Sequence, residues 1–183
     1  MLKQNNGFTL IELMITLAVA AIVLGIAVPS FNSTILDSRS AALGSELTVA
    51  VNFARAEAVK RATRVSICPS SDGAACLTSG DWAKGWLVFT DNATSDAVAT
   101  ASIGTVLRHW SGFNSKSVVT AKNGSVALDF LRFTPNGSLA RSNAADVNPR
   151  EFVTYIDGCK GNSRGRLRVG VAGLINTQKI ACQ

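Results

Sequence analysis

Glu12 is the one ionisable side chain among residues 4–36. Its neighbours from Phe8 to Val28 are apolar apart from Thr9, Thr16 and Gly25. A carboxylate inside a membrane helix costs roughly 2.5–3.5 kcal/mol near the helix centre. Such a group is kept for a partner, and the partner that suits a carboxylate is an amine. Two opposite charges held apart in a low-dielectric medium are costly, and pairing them recovers much of that cost. Glu12 therefore reads as a pairing residue for an ammonium of its own chain or of a neighbour. The plainer alternative is a carboxylate that snorkels to the interface.

A second set of residues with chemical potential lies near the C-terminus. After Asp157 no acidic residue occurs, while Lys160, Arg164, Arg166, Arg168 and Lys179 follow. A patch of one sign attracts nucleic acid, acidic lipid or an acidic protein partner. Arginines at alternate positions of a strand project from one face, and phosphate contacts made by such an array weaken steeply with salt. The plainer reading is a solvated strand face or pairing with acids. Catalytic chemistry has little to stand on. His109 is the only histidine. Gly161 to Gly165 fits the string G-x-S-x-G, but a nucleophile elbow needs a helix after it, and a β-like run follows here. No phosphate-binding or dinucleotide fingerprint is present, and the carboxylates from Asp91 to Asp96 are too sparse for calcium. The sequence predicts no enzyme, no cofactor and no metal site.

The elements that position these groups begin with the apolar run. Residues 8–28 make about 31 Å of helix at roughly 1.5 Å per residue, enough for a hydrocarbon core of about 30 Å. The run is too long for a secretory signal, and Pro29 stands where a cleavage site would be expected. Lys3 before the span holds that end in the cytoplasm. Pro29 favours a bend. From Phe31 to Ala62 the helical period continues, with Leu36, Leu43, Leu47, Ala50, Val51, Ala54 and Ala58 on one face. Glu57 and Arg61 are spaced for a pair on the other. One helix thus meets lipid in its first half and protein in its second.

Beyond Thr63 the pattern turns to short β-like runs: 64–67, 85–90, 105–110, 117–121, 127–133, 151–156, 166–171 and 175–180. Asn123-Gly124 and Asn136-Gly137 are turn signals. Short turns imply antiparallel pairing, and the helix's apolar face would lie on this sheet, an α+β head. The small, polar link 92–102 reads as a mobile surface loop. Trp82, Trp86 and Phe89 read as core aromatics. The net charge is +6. Cys68, Cys76, Cys159 and Cys182 allow three pairings. Local pairing, Cys68–Cys76 and Cys159–Cys182, staples one segment each and is the expectation. Zinc is disfavoured, since there is no C-x-x-C and one histidine.

Gly7, Phe8, Thr9, Leu10, Ile11 and Glu12, followed by the apolar helix, resemble the class III signal of type IV pilins. The resemblance implies cleavage by prepilin peptidase between Gly7 and Phe8, N-methylation of Phe8 and an assembly role for Glu12. In the head, Phe53, Arg55, Glu57 and Ala58 lead into Val65 to Pro69. Asp81-Trp82, Gly85-Trp86, Val88-Phe89, Phe133, Pro135 and Gly137 come after. That succession is similar to the GspH/FimT family of minor pilins and pseudopilins, nearest to its FimU type. It implies a type IV pilin fold, with a leader at 1–7, a transmembrane helix at 8–28, its amphipathic continuation at 29–63 and a β-rich head at 64–183. It also implies inner-membrane anchorage with the head in the periplasm, then a place in a surface filament beside other minor pilins and the major pilin. Two alternatives remain open. Gly165-Arg166-Leu167-Arg168 matches the G-R-x-R string of DNA-binding, FimT-type members, which would add Lys160, Arg164 and Lys179 as DNA contacts. A GspH-type pseudopilin of type II secretion shares the anchor and the fold.

Overall fold

The structure, a computed structural model, describes residues 7–113 and 115–182. The leader positions 1–6, with Lys3, lie outside the described residues. Helix α1 runs from Leu10 to Arg61. It is a single helical element across position 29, whose side chain lies outside the description. Thr9 caps its start, and Ala62, in the left-handed region at φ 51°, closes its end by donating to the Ala58 and Val59 carbonyls. Leu43, Leu47, Ala50, Val51, Ala54 and Ala58 are fully enclosed. The half from Phe8 to Ile26 touches nothing, so its large apolar side chains are all exposed.

Nine strands follow among the described residues. The first three are β1 (Val65–Pro69), β2 (Gly85–Asp91) and β3 (Ile103–Ser111). The next three are β4 (Ser117–Asn123), β5 (Val126–Ala127) and β6 (Leu131–Phe133). The last are β7 (Arg150–Ile156), β8 (Arg164–Val169) and β9 (Ile175–Ile180). They form two sheets rather than the expected one: a four-stranded sheet ordered β3-β2-β1-β6 and a five-stranded sheet ordered β5-β4-β7-β8-β9. All pairings are antiparallel. The division falls inside the expected run 127–133. That run yields β5 of one sheet and β6 of the other, because Leu128 to Phe130 cross between them. Trp82 sits in a short 3-10 turn, Trp82–Lys84, and joins the two halves. Its Nε1 donates to the Leu128 carbonyl at 2.8 Å, and its ring meets Phe152 of β7 edge-on at 5.1 Å. Trp86 lies in the same core, whereas Phe89 belongs to a second cluster with Cys68 and Leu87.

The two sheets differ in what covers them. In β2 nearly every residue is buried, so the four-stranded sheet is covered on both faces: by α1 on one, by the Cys76 loop, Ala101, Ile103 and Phe130 on the other. In β7 burial alternates strictly, with Phe152, Thr154 and Ile156 inward. The other face of the five-stranded sheet is open.

The link 92–102 is pinned rather than mobile. Arg132 of β6, 2 % exposed at its side chain, pairs with Asp91 at 2.8 Å. Its remaining donors reach the carbonyls of Asp96, Val98 and Thr100. Arg64 holds the same loop through Asp96 and the Ala93 carbonyl. Asp91 also accepts from Ser66 and from the Ala93 and Ser102 amides. The loop is therefore held at both ends and along its length around one buried ion pair. The sequence could not show this, because Arg132 stands some thirty residues or more from the carbonyls it holds.

Candidate functional site

At the N-terminus, Phe8 and Thr9 precede the helix and Glu12 occupies its first turn. Thr9 Oγ1 accepts the Glu12 amide hydrogen at 3.3 Å. Thr9 and Glu12 have the T-x-x-E spacing of a capping box, a signal already present in the sequence. The helix start also carries the positive end of the macrodipole, which favours a carboxylate there. Gly7 meets nothing within 4 Å of where a Cβ would stand, and Phe8 is 80 % exposed. Gly7, Phe8 and Glu12 are therefore all accessible at one end of an apolar rod, with nothing from the head near them.

The basic set divides. Arg164, Arg166 and Arg168 alternate along β8 and share the open face of the five-stranded sheet. Arg168 donates to Glu151 of β7 at 2.6 Å, and Arg166 lies 3.7 Å from the same carboxylate. Arg164 stacks over Tyr155 at 4.5 Å. In register, Arg168 stands opposite Glu151, and Glu151 opposite Lys122 of β4. Two guanidiniums and a lysine thus surround one carboxylate, and the face stays positive. Solvent-accessible pairs of this kind contribute about 0–1 kcal/mol. Lys179 pairs in register with Gly165, which puts it on the opposite face, toward α1. Lys160 lies in the loop after β7, where its amide approaches Asp37 of α1 at 3.4 Å. The five cations are not one patch. Three form an array, and the other two belong elsewhere.

The cysteines are joined as Cys68–Cys76 and Cys159–Cys182. The first closes the loop that covers the outer side of the four-stranded sheet. The second ties the β7–β8 loop to the chain end beyond β9. Gly161 to Gly165 spans that loop and enters β8, with no helix after it, so no nucleophile elbow forms there. Among the described residues no group of three or more metal-binding side chains comes together.

A long apolar helix with a first-turn glutamate, carrying a two-sheet head, narrows the relationship. The sequence pattern of the prokaryotic N-terminal methylation motif matches residues 2–28. That of the type II transport protein GspH matches residues 44–173. The chain belongs to the GspH family. This family of type IV minor pilins and pseudopilins has solved relatives. Two crystal forms of the type IV minor pilin FimU of Pseudomonas aeruginosa resemble this GspH-family chain. One has 25% identity and a TM-score of 0.57, covering 77% of this chain and 89% of that one. The other has 26% identity and a TM-score of 0.54, covering 75% and 90%. The minor pseudopilin EpsH of the Vibrio cholerae type 2 secretion system, at 9% identity and a TM-score of 0.49, covers 76% of this chain and 97% of its own. The fold is the type IV pilin fold, one long N-terminal helix with antiparallel sheets.

Proposed function

We propose that this GspH-family chain is a minor pilin of a type IV pilus, built into the filament and helping to prime its assembly at or near the tip. The observation that carries this reading is the coexistence, in one chain, of the methylation motif at 2–28 and a head similar to FimU. Prepilin peptidase cuts between Gly7 and Phe8 and methylates Phe8. Residues 8–28 hold the subunit in the inner membrane, with the head in the periplasm, until assembly draws it into the filament. Residues 29–63 carry the head, 64–183, on the outside. The role is structural, with other minor pilins and the major pilin as partners and no catalytic step. Gly7→Val removes the small residue at the cut. The full chain should then keep residues 1–7, which intact-mass spectrometry reads directly, and should vanish from the sheared filament fraction. A Gly7→Val chain that is still processed and present in filaments would overturn the proposal.

One observation favours a second reading. Arg164, Arg166 and Arg168 stand in a row on an uncovered, net-positive face, the geometry that phosphates need. A DNA-binding role in uptake, as in FimT-type members, follows from that array. Titrating the full chain in detergent micelles with duplex DNA tests it. Arg166→Gln with Arg168→Gln should weaken binding by about 10-fold at low salt and flatten its salt dependence. Binding left unchanged by both substitutions removes this reading. A GspH-type pseudopilin of type II secretion is separated from both by the subunits that co-purify.

A further inference from the structure

The two sheets have four edges, and three are closed to pairing in familiar ways. β5 is two residues long, β6 three, and β3 is broken by two register shifts against β2. Short or bulged edges resist strand addition. β9 is different. It pairs with β8 in unbroken register over six residues, from Arg164–Ile180 to Val169–Ile175, and has no strand on its other side among the described residues. Its outward N–H and C=O groups form a regular, unclaimed template.

Beside that edge lies a groove of about 400 Å³, between Ala41, Ser45 and Val49 of α1 and Thr177 and Lys179 of β9. It exists because helix and sheet approach through glycine. A Cβ on Gly165 would stand 3.6 Å from the Gly44 Cα and 2.7 Å from Thr154 Oγ1. Thr154 is 1 % exposed, lines this groove, and its hydroxyl has no hydrogen-bond partner. Val49 is 54 % exposed on the helical wall. The groove thus offers an apolar wall, an unsatisfied hydroxyl and a strand edge along its rim.

We propose that an extended, acidic segment of another filament subunit adds to β9 as a tenth strand and fills this groove. Side chains on one side of the added strand would pack on Val49 and Ala41, and a hydroxyl or amide among them would reach Thr154. Charge selects the occupant. Lys179 projects on the groove side, and Arg166 and Arg168 stand one strand away on the open face. A carboxylate on the groove face of the incoming strand therefore meets Lys179 as a cross-strand neighbour, while on the open face the arginines act from one strand further in, behind Asn176 and Gln178. A second copy of this chain would bring its own cations to the same place, which disfavours self-pairing. Main-chain bonds would give affinity and the groove specificity, as in strand addition generally.

This inference rests on the chain being a filament subunit, and the test separates the two. In cells assembling filaments, the full chain carries a photo-crosslinking benzoylphenylalanine at Gln178, on the open face of β9, or at Val126 of β5 as control. The expected result is a crosslink from position 178 to a different pilin-type subunit, on a peptide containing carboxylates, and none from position 126. Ser45→Trp fills the groove and Lys179→Glu reverses its charge. Each should cut the crosslink yield by about 10-fold, while Lys179→Arg and Val126→Trp leave it intact. Thermal melts of the purified full-length variants, expected to match the parent, confirm that the head is folded. A crosslink to a second copy, none at all from chains present in filaments, or a yield indifferent to Ser45→Trp and Lys179→Glu overturns strand addition alone. Absence of the chain from filaments overturns the filament reading with it.

Discussion

Arg132→Ala should destabilise the head by about 3–5 kcal/mol, the range for breaking one side of a buried ion pair. The loss has two parts. Asp91, 4 % exposed, would keep its charge with no cation beside it, and the carbonyls of Asp96, Val98 and Thr100 would lose their donors. For a chain of this size the thermal midpoint should fall by roughly 10 °C, measured by circular dichroism on the full chain in detergent micelles. Limited proteolysis should newly cut within 92–102. Replacing both partners, Asp91→Asn with Arg132→Met, should restore part of the midpoint, because no buried charge is then left alone and the amide oxygen still accepts from the Ala93 and Ser102 amides. It should leave the loop susceptible, since nothing then holds the three carbonyls. A shift under about 1 kcal/mol in the single variant, well below the range for a broken buried pair, would show that the pair is not what secures the loop.

The same pair sets an acid limit. Burial raises the Asp91 pKa, but hydrogen bonds from Ser66, Arg132, Ser102 and Ala93 outweigh it and hold the carboxyl below its ordinary 3.8. Hydrogen bonds from Arg150 do the same for Asp146, against the opposing effect of burial. A lowered folded-state pKa contributes stability that is complete above the unfolded value and lost as pH falls through the folded one. The parent head should therefore keep a level midpoint from neutral pH down to about 4 and lose it below. In Arg132→Ala burial is less opposed, so the loss should begin at higher pH.

These residues also mark how far the sequence alone was legible. The long helix and its buried face from Leu43 to Ala58 follow from local periodicity, and the structure shows both. The strands were legible to within a few residues for the same reason, alternation and turn residues such as Gly124 and Gly137. What escaped was non-local. The division of strands between two sheets depends on where Leu128 to Phe130 cross, and nothing in their composition signals it. Nothing around Arg132 in the sequence marks it for burial, and its carbonyl partners lie in a stretch of small, polar residues. The basic tail looked like one patch because sequence order hides strand parity. Lys179, in register with Gly165, faces α1, while the arginines face away. The open edge at β9 is likewise a property of sheet order.

Glu12→Ala should leave processing intact and reduce the chain in sheared filaments by at least about 10-fold relative to the membrane fraction, both read by immunoblot. Processing should survive because Gly7 and Phe8 are untouched. The helix start should survive too, since Thr9 Oγ1 receives the backbone amide of residue 12, which alanine keeps. Membrane insertion should if anything improve, as an apolar residue replaces a carboxylate. Every ordinary measure of folding and anchorage thus predicts a healthy subunit, so loss of incorporation isolates the pairing role. Glu12→Gln refines it. Glutamine keeps shape and hydrogen bonding without charge, so partial incorporation would assign the remainder to the ion pair with a terminal ammonium. Normal incorporation of Glu12→Ala would refute the registry role, and would leave the carboxylate as a residue that merely snorkels to the interface.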